Sequence, residues 1–307
     1  MDKIEVYITC CKKDFYFART AVASIRYWNE HIPVFLVKDH SQGKFSTKAL
    51  EEKFRVGVIH TNFENLIGYN KLYPLVEGTR SRILFSDADI VWLGNLEHKL
   101  NDFEQDIVFD GYAPENPLEE MNSWYFNTRR LEQYYPGYLY PGFLFNCGFF
   151  LCNSSIFRRE DFDAVLEWRD RPSPRIENVF LCEDQGIINY LVAGKILRNE
   201  ITFSSARLQV WGHCREPGLY DIQDIKSKKD KPVVIHWFGK KTGLVSFQPG
   251  ARILRFYEKF YFSHFPLGTV NWWAVRVMRT LRHLPRFVYE TGKAIFYFFT
   301  PKPGIHD

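Results

Sequence analysis

Arg82-Ile83-Leu84-Phe85-Ser86-Asp87-Ala88-Asp89-Ile90-Val91-Trp92 runs from an apolar strand directly into two acids. A short continuous apolar run of this kind marks a buried strand of an α/β sheet. In extended chain, residues i and i+2 point the same way, so the carboxylates of Asp87 and Asp89 converge at the carboxyl end of that strand. Open α/β sheets bind their ligands at that end. Two like charges held together repel unless a cation lies between them. Hard divalent cations such as Mn2+ or Mg2+ take oxygen ligands and are shared with substrate phosphates. An Asp-x-Asp pair also arises often by chance as a solvated loop, so the rest of the chain has to decide.

Upstream, residues 4–9 read as a strand, 15–28 as a helix with Phe17, Ala21, Ser24, Ile25 and Trp28 on one side, and 33–38 as a buried strand. Strand, helix, strand at this spacing is a βαβ unit and predicts a parallel sheet. Residues 46–55 read as helical, 56–60 as extended and 69–77 as a helix. Downstream, 106–109 is a further strand and 111–141, rich in Tyr, Pro, Asn and Glu, reads as an irregular substrate-facing excursion. Residues 143–152 form an apolar strand, 155–169 and 182–193 read as helices, and 232–238 as a last strand carrying His236. An imidazole adds a nitrogen ligand for a metal such as manganese. Gly239, Lys240 and Lys241, which follow, bring backbone N–H groups and positive charge suited to a diphosphate. Alone, a structural histidine with surface lysines is the plainer reading.

Together these segments resemble the GT-A glycosyltransferases, most closely the retaining family 8 type, over roughly residues 1–245. Ile83 to Asp89 is similar to that family's Asp-x-Asp strand, which implies that Ser86, Asp87, Ala88 and Asp89 face metal and donor diphosphate. Phe145-Asn146-Cys147-Gly148-Phe149-Phe150-Leu151-Cys152-Asn153 resembles its Phe-Asn-Ser-Gly-x-x-Leu-x-Asn segment, with Asn146 and Gly148 at the donor sugar. Asp184-Gln185-Gly186-Ile187-Ile188-Asn189 resembles its Asp-Gln-Asp-x-Leu-Asn helix start, which puts Asp184 and Gln185 beside the reacting carbon. His236 with Gly239 looks like the start of its His-x-x-Gly segment, with His236 as third metal ligand.

The resemblance implies a GT-A fold: α/β, with a mixed, mostly parallel central sheet flanked by helices and a C-terminal helical tail. It also implies a metal-dependent transferase moving a sugar, most simply from a UDP-sugar, to a glycan or glycolipid acceptor with retention of stereochemistry. Gly186 replaces the family's third acid, Thr242 replaces the lysine of its Lys-Pro-Trp ending, and Lys71 stands for an arginine after the first helices. Thr9, Cys10 and Cys11 occupy the nucleotide-pocket positions after the first strand, where the family carries acids.

A metal at Asp87, Asp89 and His236 neutralises the charge that develops on a leaving diphosphate, with Lys240 or Lys241 assisting. Asp184, Glu183 and Gln185 are candidates for stabilising a cationic sugar, or, if the reaction inverts, Glu183 or Asp184 for the general base. An acid pair at a helix start is also favoured by the dipole alone. A sugar-nucleotide or glycan-binding module without catalysis is the first alternative. A haloacid-dehalogenase-type phosphatase is a second, since Asp87-Ala88-Asp89-Ile90-Val91 fits its nucleophile strand, although that fold puts the strand first. A nucleotidyltransferase lacks its Gly-rich loop after the first strand.

The 307 residues carry 40 basic and 36 acidic side chains, net +4, which excludes a whole-protein nucleic-acid binder. A 46% hydrophobic composition with 17% aromatics supports a large core and excludes a disordered chain. The six cysteines show no metal-type pairing, and Met-Asp-Lys-Ile-Glu-Val enters a strand without a basic leader, so reduced thiols and a cytoplasmic site are expected. The domain expectation is a catalytic unit over 1–250 and a helical aromatic and basic tail over 251–307. Trp273, Val277, Leu281, Leu284 and Val288 lie at helical spacing, and Arg276, Arg279, Arg282 and Arg286 on another stripe. An apolar face beside an arginine face suits an in-plane helix on an anionic membrane, over 270–299, near a lipid-linked acceptor. Docking on the domain or on a second copy is the plainer alternative.

Overall fold

In the computed structural model, residues 3–60, 69, 71–77, 81–169, 172–237, 249–278 and 281 are described. The chain opens as predicted, with β1 (Ile4–Cys11), α1 (Phe15–Trp28), β2 (Val34–Asp39), α2 (Lys48–Phe54) and β3 (Val56–Ile59). α3 (Leu72–Glu77), β4 (Arg82–Asp87), β5 (Ile90–Trp92), α4 (Leu96–Asn101) and β6 (Ile107–Tyr112) follow. Next come α5 (Pro117–Trp124), α6 (Thr128–Tyr134), β7 (Leu144–Asn153), α7 (Arg159–Asp163), β8 (Leu166–Trp168) and β9 (Pro172–Pro174). The described elements end with α8 (Glu183–Leu197), β10 (Phe203–Ser205), β11 (Gln209–Trp211), α9 (Ile222–Lys226), β12 (Val234–His236) and α10 (Ala251–Ser263).

The central sheet has seven strands in the order β10-β6-β7-β4-β1-β2-β3. β1, β2, β3 and β4 run parallel, while β7 is antiparallel to both β4 and β6. The sheet is therefore mixed and mostly parallel, as expected. Alternation along the strands divides the interior in two. Val6, Ile8 and Cys10 of β1 pack with Ala18, Ala21, Val22 and Ile25 of α1 on one face. Tyr7 of the same strand packs with Phe85, Phe150 and Ile187 on the other. Phe85 and Phe150 stack at 4.8 Å across β4 and β7. Truncating such a fully buried ring costs about 3–5 kcal/mol.

A smaller sheet, β11-β12-β5, positions the site. β12 runs antiparallel to β5, with His236 opposite Ile90, so the last strand returns beside the acids at the end of β4. Trp237 donates its amide to the Asp89 carbonyl at 3.1 Å, extending that pairing by one residue. Ser24 Oγ of α1 accepts the Trp92 amide at 2.9 Å, satisfying a buried polar group and tying β5 to the first helix.

Two expectations are corrected. Residues 111–141 are not irregular: Asn116 and Asn127 cap α5 and α6 by accepting the amides of Glu119 and Arg130, and Pro117 sits in the first turn of α5. Residues 155–169 are not one helix. Arg158 is extended at the start of α7, and the chain leaves at Ala164 to form the β8–β9 hairpin. Trp168 Nε1 donates to Asp163 Oδ1 at 2.6 Å across that break.

In the tail, α10 lies against α1 with Leu254, Tyr257 and Tyr261 buried. Residues 268–278 are helical, and Glu258 links this segment to the body, accepting from Tyr16 Oη and, at 3.3 Å, from Trp272 Nε1. Among the described residues no helix is long and apolar enough to cross a membrane. The apolar run at 294–299 and the arginines at 279, 282 and 286 lie outside the described residues.

Candidate active site

The end of β4 and the end of β12 meet. His236 Nε2 lies 3.5 Å from Asp89 Oδ1 and 3.7 Å from Asp87 Oδ2. One donor atom from each of the three residues falls within 4.8 Å of the others, and Asp89 and His236 are buried. Two carboxylates and an imidazole are a donor set suited to a divalent first-row cation, so these residues could hold one.

Asp87 divides its oxygens between two neighbours. While Oδ2 faces His236, Oδ1 lies 3.0 Å from the Lys71 ammonium, which also reaches Asp184 Oδ2 at 3.3 Å. Lys71 is buried just before α3. Burial works to lower its pKa, but Asp184 and then Asp87 outweigh it, and the net direction is upward. The residue is thus a fixed cation between a strand-end acid and the first turn of α8.

β7 and α8 build the adjoining wall. Asn146 Nδ2 donates to Gln185 Oε1 at 2.9 Å, and Gln185 Nε2 donates to the Trp124 carbonyl at 3.2 Å. Asn146 Oδ1 accepts the Gly148 amide at 2.8 Å. Asn189, one turn beyond Gln185 in α8, accepts the Phe145 amide and donates to the Phe145 carbonyl, locking β7 to the helix. A Cβ on Gly148 would lie 2.5 Å from His236 Cε1, 2.6 Å from Asn146 Oδ1 and 2.8 Å from Asp87 Oδ2. The glycine is what lets strand and site side chains approach. Cys147 is buried, and desolvation pushes its thiol up.

Asp87, Asp89, His236, Lys71, Asn146, Gly148, Asp184 and Gln185 therefore come together. Thr9 pairs with Asp87 across β1 and β4, at the same strand ends. The side chains of Cys10 and Ala88 instead pack in the core and that of Ser86 is buried, so these three offer a ligand only their backbones. The Glu183 side chain and Gly239, Lys240 and Lys241 lie outside what is described.

No protein-family profile matches the chain, and no curated protein matches it in sequence. Solved structures match in architecture. The bifunctional glycosyltransferase WbbM, in its apo form, superposes with a TM-score of 0.53 at 12% identity, covering 86% of this chain and 49% of its own. The galactosyltransferase LgtC, in complex with donor and acceptor sugar analogues, superposes with a TM-score of 0.52 at 13% identity, covering 84% of this chain and 95% of its own. The chain has the GT-A fold. It spans about half the length of WbbM.

Within the GT-A fold the Asp-x-Asp pair ends β4, the fourth strand in the chain, next to β1 in the sheet. A dehalogenase-type phosphatase would need that strand first, so this alternative fails. The departure at Gly186 has a steric reason: a Cβ there would lie 2.1 Å from the Tyr125 carbonyl oxygen. Tyr125 follows α5, so the 111–141 segment fills the space that a side chain at position 186 would need. Two neighbours of His236 escaped sequence reading. Gln209 Oε1 lies 3.3 Å from His236 Nδ1, and Trp211 stacks on the imidazole at 5.0 Å. The alternation Leu208-Gln209-Val210-Trp211 marks a short strand, but nothing local ties it to a histidine 25 residues on.

Proposed function

We propose that this protein is a metal-dependent glycosyltransferase that moves a sugar from a nucleotide-sugar donor, most simply a UDP-sugar, to a glycan or lipid-linked acceptor with retention of configuration. The observation that carries the reading is the convergence of Asp87, Asp89 and His236 at the carboxyl end of β4, beside the Asn146–Gln185 pair. A divalent cation bound by the three residues, Mn2+ or Mg2+, supplies Lewis-acid charge to the leaving diphosphate.

In this reading the bond between the anomeric carbon and the diphosphate oxygen breaks, and the acceptor hydroxyl forms the new bond at that carbon. The hydroxyl proton passes to the departing phosphate, so no strong protein nucleophile is needed. Asp184, ion-paired with Lys71, stabilises the positive charge that develops on the sugar. Gln185, fixed at both ends of its amide, lines the sugar face with Asn146. Thr9 and the strand ends of β1 and β2 hold the nucleoside, and Gly239, Lys240 and Lys241 assist the diphosphate.

A peripheral contact with an anionic membrane belongs to the same proposal. Val270, Trp273, Val277, Met278 and Leu281 are all exposed in the tail, next to Arg276. An apolar face with adjoining cations suits the boundary of a bilayer and brings the site near a lipid-linked acceptor.

A panel of UDP-, GDP- and CMP-sugars, each incubated with the full chain and manganese and again with EDTA, tests the reading. The expected result is metal-dependent release of UDP from at least one UDP-sugar. Absence of turnover with every donor, with and without acceptor glycans, would favour a binding module.

A further inference from the structure

The geometry points to Gln209 and Trp211 of β11 as positioning residues that set the orientation and the metal-facing nitrogen of His236. The inference rests on the metal reading above and extends it to the strand behind the site.

Gln209 is buried, and its Oε1 lies 3.3 Å from His236 Nδ1. With the amide oxygen as acceptor, the contact favours the proton on Nδ1. In the neutral ring Nε2 then carries the lone pair on the side of Asp87 and Asp89, which lie 3.7 and 3.5 Å away. That is the state a metal-binding imidazole needs. Trp211, two residues on and therefore on the same side of the strand, stacks on the ring at 5.0 Å with 26° between planes. Strand register fixes this contact, because Trp211 is the direct partner of His236 in the parallel β11–β12 pair.

β11 itself is anchored. Asp110 Oδ2 accepts the amides of Leu208 at 3.1 Å and Gln209 at 2.8 Å. Asp110 sits at the irregularity between Phe109 and Gly111 in β6, where the register against β7 shifts. A bulge re-aims a side chain out of the strand's regular alternation. The central sheet thereby holds the short strand that holds the histidine. Gly148 approaches the same ring so closely that a Cβ there would lie 2.5 Å from its Cε1.

The test is Mn2+ binding to the full chain, followed by electron paramagnetic resonance, for wild type, Asp89→Asn, Gln209→Leu, Gln209→Glu and Trp211→Leu. Gln209→Leu should weaken binding about 10–100-fold, the span found for outer partners of metal ligands. Gln209→Glu, which keeps an acceptor for Nδ1–H, should bind at least as tightly as wild type. Trp211→Leu, at a partly buried position, should also bind more weakly. Circular dichroism and melting curves separate these effects from loss of fold. Wild-type binding that is lost in Asp89→Asn yet unchanged in Gln209→Leu and Trp211→Leu overturns the inference and leaves the metal reading standing. A wild-type chain that binds no Mn2+ overturns both.

Discussion

Gly148 and His236 are so close that a methyl group on the glycine would come within 2.5 Å of the imidazole Cε1. The close approach brings together β7 and β12, two strands that share no ladder. Gly148→Ala should therefore displace the imidazole from Asp87 and Asp89. Turnover should fall more than about tenfold, with a stability loss of about 1–3 kcal/mol typical of overpacking. Steady-state rates and urea unfolding on the same preparation check it. Undiminished rates would mean that His236 can move without consequence.

Gly186→Asp supplies the third acid of the Asp-Gln-Asp pattern that the start of α8 resembles. Here it should not raise activity. Its Cβ would press on the Tyr125 carbonyl, 2.1 Å away, which is backbone and cannot step aside cheaply. The expected outcome is a loss of about 2 kcal/mol or more in denaturant unfolding. A variant as stable as wild type would show that the segment after α5 yields.

Lys71→Met removes the cation shared by Asp87 and Asp184. Asp87 keeps about a quarter of its side-chain surface in water, so the stability loss should be about 1–3 kcal/mol rather than that of a fully buried pair. The sign with pH follows from the raised lysine. A group whose folded pKa lies above its unfolded one stabilises fully below the unfolded value, about 10.4, and loses the effect only above it. The gap between wild type and variant should stay constant from about pH 7 to about pH 9. Unfolding curves that converge within that window would contradict a charged Lys71.

Much of this was legible in the sequence because the deciding signals are local. The apolar run of β4 ending in Asp87 and Asp89, the periodicity of α1 and the apolar strand at 144–153 each carry their own pattern. His236 was found the same way, as the polar end of an apolar strand. What stayed hidden is long-range or subtle. Gln209 and Trp211 matter only because β11 pairs with β12, which no local period reveals. The helices α5 and α6 were missed because aromatic and polar composition outweighed the Asn caps at 116 and 127. The helix expected over 155–169 failed because tertiary pairing of β8 with β9 overrode a helical pattern.

The exposed tail face gives a separate prediction. Trp273→Glu with Val277→Glu places two acids where 57% and 53% of the surface is exposed, so the fold should tolerate them. Co-sedimentation with vesicles rich in anionic lipid should drop several-fold, while neutral vesicles show little binding by either protein. Equal sedimentation of variant and wild type would remove the membrane from the account.

The most direct test joins the acids of β4 to the chemistry. Release of nucleoside diphosphate from the preferred sugar donor is measured for wild type and Asp89→Asn, each after EDTA treatment and again after adding Mn2+. The account predicts that EDTA silences the wild type and Mn2+ restores it. It also predicts that Asp89→Asn keeps its fold but, with Mn2+ added back, stays at least about 100-fold slower than the restored wild type, beyond the roughly 10–100-fold range for residues that only support a metal ligand. Wild-type turnover that survives EDTA, or an Asp89→Asn chain that turns over at the wild-type rate, would contradict it.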